Sequence, residues 1–224
     1  MVNYPNYNCP SFAQTRRSAF TLMEMMVALA VATVVGLVLT TFVIRYTKSI
    51  SFTTNKALIT RDFREFSIRL SADALEATHV VIYPSFDQMT RDNRRRMGES
   101  GDCLVLVRTV PFRGVNGDRI YQKIVVYYRE AGASPTRPIY RRAFIHLGPI
   151  FSTKDQTIEE HLATIVDRLG PPKQVLASSE GFAGGDDFFY RKTVNSFRVN
   201  AEIHHGKHAR EVSNVYSLTF STGG

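Results

Sequence analysis

From Phe20 to Ile44 the chain reads FTLMEMMVALAVATVVGLVLTTFVI, and Glu24 is the single charge in that stretch. The uncharged part, Met25 to Ile44, is about twenty residues, which as a helix span about 30 Å, the hydrocarbon thickness of a bilayer. A helix apolar all round over that length is a membrane span rather than the core helix of a small soluble domain. Arg16 and Arg17 stand just before it, so the N-terminus is expected to stay in the cytoplasm and the region after Ile44 to be exported. Arg45 and Lys48 on the far side oppose this weakly, because they continue the helix and can snorkel. Residues 1–15 are polar and turn-rich, with Pro5 and Pro10, and carry no pattern of fixed structure.

Glu24 is the anomaly. An unpaired carboxylate costs about 2.5–3.5 kcal/mol at the centre of a span and less near an interface, so an ionisable group there points first to function. The bland alternative is a shallow, solvated Glu at the membrane edge. A secretory signal peptide would have a shorter apolar core followed by a small-residue cleavage site, and Thr40-Thr41-Phe42 is a poor one. Thr15 to Phe20 also resembles a twin-arginine signal, but Phe20 comes one place late and the core is very apolar. A plain signal anchor stays open.

Arg16-Arg17-Ser18-Ala19-Phe20-Thr21-Leu22-Met23-Glu24, followed by the apolar run, resembles the processing signal of type IV prepilins and type II secretion pseudopilins. The resemblance covers residues 16–44. It implies a leader, residues 1–19, removed between Ala19 and Phe20 by a membrane aspartyl peptidase that also methylates the new N-terminal amine. It implies that residues 20–44 remain as a transmembrane and filament-core helix, and that residues 45–224 form the exported globular domain with the second half of the helix. Arg16, Arg17, Ala19 and Phe20 would be the processing residues. Phe20 and Glu24 would be the assembly residues, since in the family a Glu at this place meets the N-terminal amine of a neighbouring subunit. An amine and a carboxylate cost much less to bury together than apart, and such a pair can set register. Ala19 stands where the family usually has Gly. Major subunits of the family often carry Pro within the helix, whereas this chain has none between Phe20 and Tyr83, which points to a minor subunit.

The formal charge is +8, and removal of Arg16 and Arg17 with an acid-free leader leaves +6 (8 − 2). Net charge of this size speaks first to solubility, with a polyanion or acidic lipid as the alternative. Of the two cysteines, Cys9 precedes the expected cut and Cys103 follows it, so a cut chain could form no internal disulfide. Cys103 opens the run Cys103-Leu104-Val105-Leu106-Val107 and is expected to be buried and inert in a strand.

Beyond the span, Ile59, Phe63, Phe66, Leu70, Ala74 and Ala77 recur at steps of three and four, with Arg61, Asp62, Arg64, Glu65 and Arg69 on other faces. The helix is therefore expected to run unbroken from Phe20 to about Ala77, about 85 Å, with Gly36 its one weak point. Its second half needs a surface to cover, most simply a sheet of the same chain. Strands are expected at Val80–Tyr83, Cys103–Val110, Ile120–Arg129, Ile139–Phe144, Val194–His204 and Val212–Phe220. Asn116-Gly117-Asp118 is a turn signal, Glu130–Arg137 a loop, Thr157–Leu169 a short helix closed by Gly170 and Pro171, and residues 84–102 a polar, basic loop. The fold class is α+β, a long N-terminal helix on a mainly antiparallel sheet, which also resembles the pilin fold. Val125-Val126-Tyr127-Tyr128 with Ile139-Tyr140-Arg141-Arg142, and the closing strands after Val194, resemble the J-type minor pseudopilins and related minor pilins.

Little in the exported part points to chemistry. His204, His205 and His208 invite a metal reading, but no Cys or acid completes a ligand set at a recognised spacing, and His205 to His208 read as a hairpin loop. Gly184-Gly185-Asp186-Asp187 lacks the spacing of an EF-hand. No Walker, nucleophile-elbow or His-Glu-x-x-His pattern occurs, and no enzyme, cofactor or metal is expected. Arg94-Arg95-Arg96 is either a solvated loop or a contact for a polyanion such as DNA. The expected function is that of a minor pseudopilin or minor pilin that primes or caps a filament. The expected partners are a prepilin peptidase, other pilins through the N-terminal helix, and the inner membrane. The alternatives are a DNA-binding minor pilin of an uptake machine and an anchored protein with no filament role.

Overall fold

The computed structural model describes residues 20–111, 119–132, 134, 136–145, 151–152, 157–182, 187–205 and 212–223. A single helix, α1, runs Leu22–Glu76 without interruption, as the absence of Pro and the apolar spacing predict. It contributes to two compact units that divide between Ser49 and Ile50. In the first unit every described residue is exposed.

The second unit is built on a sheet. Its strands are β1 (His79–Tyr83), β2 (Ser100–Gly101), β3 (Cys103–Pro111), β4 (Arg119–Arg129), β5 (Arg137–Ile145), β6 (Phe151–Ser152), β7 (Lys173–Gly181), β8 (Phe189–Arg191), β9 (Ser196–His205) and β10 (Val212–Ser221). Their spatial order is β1-β3-β4-β5-β7-β9-β8-β2, with β10 on β9 and β6 on β4, and every pairing is antiparallel. A second helix, α2 (Ile158–Ile165), lies between β6 and β7. It starts with a reciprocal cap: Thr157 Oγ1 accepts from the Glu160 N–H, and the Glu160 carboxylate accepts from the Thr157 N–H.

The stripe read from the sequence is the buried face of α1. Ile59, Phe63, Phe66, Leu70 and Ala74 pack on the residues of one sheet face, among them Leu104, Leu106, Val125, Tyr127, Val199 and Ile203. Phe66 is fully buried and meets Tyr127 and Phe188 edge-on, with centroids 6.1 and 6.0 Å away. Truncation of such a residue to Ala typically costs about 3–5 kcal/mol. The other face, with Val81, Cys103, Val105, Val107, Ile124 and Val126, is covered by Leu162 and Ile165 of α2 and by Leu169. Strands β3 and β4 are thus apolar on both faces, which is why Cys103–Val107 and Ile124–Tyr127 read as continuous runs rather than alternations.

The expected α+β layout is the observed one, and the six expected strands are present within a few residues of their expected ends. The segment 84–102 differs from a plain loop. It holds a 3₁₀ turn at Phe86–Gln88 and the strand β2, which pairs with β8 because Gly101 can lie against the carbonyl of Tyr83 where a side chain could not. Strands β7 and β8 were not expected. Lys173-Gln174-Val175-Leu176-Ala177-Ser178-Ser179-Glu180-Gly181 has few residues of high strand preference, and only its neighbours β5 and β9 make it a strand. His204 lies in the strand as expected, and His205 closes β9 rather than opening a loop. Residues 116–118, 184–186 and 206–208 lie outside the described residues.

Candidate functional site

Of the residues expected to serve processing, Arg16, Arg17 and Ala19 lie outside the described residues. Phe20 is exposed, two residues ahead of the first residue of α1. Thr21 and Glu24 close the helix end between them. The Glu24 carboxylate accepts from the Thr21 N–H at 2.9 Å and from its hydroxyl at 3.0 Å, while Thr21 Oγ1 accepts from the Glu24 N–H at 3.3 Å. The Thr21 carbonyl then receives the Met25 N–H, so the helical ladder begins there. Two otherwise orphaned backbone donors are satisfied reciprocally. The sequence carries this signal as Thr21-Leu22-Met23-Glu24, a threonine followed at the third place by glutamate. Glu24 was expected to be a membrane anomaly and an assembly residue, and this local cap was not anticipated.

Polar side chains within the apolar run are also satisfied inside the helix. The hydroxyls of Thr33, Thr40, Thr41 and Thr47 each donate to a carbonyl one turn back, those of Ala30, Gly36, Leu37 and Val43, at 2.8 Å. A span that must place its polar groups in hydrocarbon needs this arrangement. Leu22, Met25, Val27, Leu29, Leu37, Phe42 and Ile44 are exposed around the whole circumference. The helix is long and apolar enough to cross a membrane, and its most apolar window has no residue buried.

The three arginines of the run stand in different surroundings. The Arg95 backbone N–H donates to the Ile82 carbonyl at 2.7 Å and its carbonyl accepts from Arg191 Nη1 at 2.8 Å, and its side chain is half-buried. Arg94 Nε lies 3.8 Å from the buried Glu159 carboxylate, which also accepts from the Tyr83 hydroxyl at 3.2 Å. Burial, and after it the Glu159 charge, push the Tyr83 phenol above its ordinary pKa. Arg96 is exposed, and its N–H donates to Glu99 at 2.7 Å. The three expected polyanion contacts therefore point to three different surroundings.

Of the candidate metal residues, His208 lies outside the described residues and His204 sits in β9 with its side chain 1% exposed. Glu180 of β7 and Glu202 of β9 join His204, with one donor atom of each within 4.8 Å of the others. The sequence hid this grouping because one acid lies more than twenty residues away in a strand of weak pattern. Asp187, the last residue of the glycine-rich run, accepts from the Ser100 hydroxyl at 2.9 Å and so serves the fold. Burial raises its pKa against that hydrogen bond.

A family signature described as the Prokaryotic N-terminal methylation motif, the prepilin-type signal of pilins and pseudopilins, matches residues 14–40. It takes in Arg16, Arg17, Ala19, Phe20, Thr21 and Glu24 and the first part of α1. No curated protein and no solved structure was found to match the chain.

Proposed function

We propose that the chain is a minor pseudopilin or minor pilin, a non-enzymatic subunit that helps prime or cap a filament. It is cut between Ala19 and Phe20 by a prepilin peptidase, which methylates the Phe20 amine. It first sits in the inner membrane with its N-terminus in the cytoplasm and residues 45–224 outside, then packs its helix against those of other subunits. One observation carries this reading. Residues 22–40 of the methylation motif lie on a helix that is exposed and, Glu24 apart, uncharged all round up to Ile44. A surface of that kind is stable in lipid or against other such helices, not in water.

The uninterrupted helix supports a minor rather than a major subunit, because no proline offers a place for it to melt. The J-type resemblance gains support from what its residues do. Val126 pairs with Arg142 and Tyr127 with Arg141 across β4 and β5, and Tyr127 and Arg141 both reach Asp73 of α1. The pattern thus ties the paired strands to the helix.

N-terminal mass spectrometry of the membrane-extracted protein, from cells with and without their prepilin peptidase, tests the reading. A chain that begins at Phe20 only when the peptidase is present supports it. A chain that keeps Arg16 and Arg17 in both samples overturns it and leaves a plain anchor.

A further inference from the structure

We propose that Glu180, Glu202 and His204 bind a divalent transition-metal ion, of the zinc class, that fastens β7 to β9. The inference is independent of the filament reading. Register makes the cluster. Glu180 stands directly opposite Glu202, and His204 lies two residues further along β9 on the same face, because side chains alternate with period two. Ala201 and Ile203, between and beside them, face the α1 core instead. His205 by the same alternation points away from the cluster.

The donor spacing suits a small cation. His204 Nε2 is 3.5 Å from Glu180 Oε2, and all three donor atoms lie within 4.8 Å of one another. Ligands held at about 2.1 Å around a tetrahedral ion stand roughly 3.4 Å apart. The histidine pair is already at that separation, and the half-buried glutamates close the rest by small rotations. Two features make occupancy favourable. Among the described residues neither His204 ring nitrogen makes a hydrogen bond, although the ring is buried; Nε2 has only the long 3.5 Å approach of Glu180, and a bound ion would give it a close partner. Two carboxylates directly opposite on neighbouring strands repel each other, and a divalent cation reverses that sign. An imidazole nitrogen beside two carboxylate oxygens suits zinc, cobalt or manganese better than calcium, which prefers an all-oxygen shell of six or more.

The position gives such an ion a mechanical role. Strands β7 and β9 share only three paired residues, Ser179–Gly181 with Ala201–Ile203, whereas β9 and β10 share ten. On its other side β7 meets β5 through two register irregularities. An ion held by Glu180 from one strand and by Glu202 and His204 from the other would clamp this short seam.

The test uses the full chain, without an affinity tag of histidines, in detergent micelles after chelator treatment. Zn²⁺ and, separately, Ca²⁺ are titrated by calorimetry, and thermal unfolding is followed with and without each ion. The expected result is one Zn²⁺ per chain, a higher unfolding midpoint with zinc, at least tenfold weaker calcium binding, and at least tenfold weaker zinc binding in Glu202→Gln. Glu180→Gln takes its place if Glu202→Gln does not fold. Absence of zinc binding, zinc binding unchanged in the folded variant, or calcium binding as tight as zinc would each overturn the proposal.

Discussion

Arg141 of β5 grips both carboxylate oxygens of Asp73 near the end of α1, with Nε to Oδ2 at 2.8 Å and Nη2 to Oδ1 at 3.2 Å. Lys123 adds a third bond at 2.9 Å and Tyr127 a fourth at 2.7 Å, so one 7%-exposed carboxylate joins the helix to two adjacent strands. Burial alone would raise the Asp73 pKa, but the bonds from Arg141, Lys123 and Tyr127 outweigh it and hold the carboxyl below its ordinary range. The same carboxylate, after burial, pushes the Tyr127 phenol up.

Asp73→Asn is expected to cost about 3 kcal/mol near neutral pH, because it leaves the partly buried Arg141 without its counter-charge, whereas Lys123 keeps Glu76 at 2.8 Å. The sign of the pH dependence follows from the lowered pKa. The stabilisation is fully present above the unfolded-state value of about 3.9 and is lost as pH falls through the lower folded-state value. Denaturant unfolding of the two proteins in detergent, followed by near-ultraviolet circular dichroism, should show a wide gap at pH 7 that closes in acid. A gap that is constant down to pH 2 would show that the network is not ionic.

The long helix and its stripe were legible in the sequence because 3.6-residue periodicity, an apolar run and a proline-free stretch all agreed over 55 residues. The strands β3 and β4 were legible for the same kind of reason, since valine, leucine, isoleucine and tyrosine dominate them, and β5 was legible as the return strand after a loop signal. What stayed hidden depends on partners. Strand β7 is a strand because β5 and β9 flank it, and β2 and β8 are two and three residues long. Asp73 was not singled out beside Arg61, Asp62, Arg64, Glu65 and Arg69, because charge on a helix says nothing of which face meets a sheet. Only the fold shows that it faces the sheet while Arg61 lies open to solvent. The methylation motif of residues 14–40 was legible through local order along the chain, whereas Glu180 meets His204 only through strand pairing.

Gly101→Ala is expected to destabilise the domain by about 1–3 kcal/mol or more, because the added Cβ would run into the backbone carbonyl of Tyr83. Tyr83 is fully buried, and Asp102 donates its N–H to Pro84 at 3.0 Å, so neither segment can yield cheaply. Gly98→Ala offers a comparison, since its cost would come from a φ of 86° rather than from contact. Thermal unfolding of the two variants should rank Gly101→Ala as the worse. The reverse order would mean that the turn at Gly98 matters more than the close approach.

Cys103 should resist alkylation in the folded protein. It is fully buried, and burial first, then the charges of Asp102 and Asp87, raise its thiol pKa well above the usual range. Thiolate is the reactive form, so both access and ionisation oppose modification. A chain cut before Phe20, as proposed, would hold no other cysteine, and in an uncut chain Cys9 is counted separately by peptide mapping. Treatment with iodoacetamide at pH 8 should label Cys103 only after denaturant is added, and the labelling rate in buffer should track opening of the sheet. Rapid labelling without denaturant would contradict the placement of β3 at the centre of both cores.

Glu24 has two possible tasks, and a pair of variants separates them. As a cap it works with Thr21: Thr21→Ala removes the two bonds of the Thr21 hydroxyl and Glu24→Val the two bonds of the carboxylate, so each breaks the reciprocity of the cap. Loss of a cap costs about 1 kcal/mol of helix stability and would weaken assembly to a similar, modest degree in both. As an assembly residue Glu24 would offer its charge to the Phe20 amine of a neighbour, and only Glu24→Val removes that charge. The expected outcome is that both variants are cut between Ala19 and Phe20, while Glu24→Val enters filaments at least tenfold less than Thr21→Ala. That ratio corresponds to about 1.4 kcal/mol or more of interaction beyond the cap. Sheared-filament fractions compared by immunoblot against total membrane protein would read it. Equal incorporation of the two variants would reduce Glu24 to a helix cap.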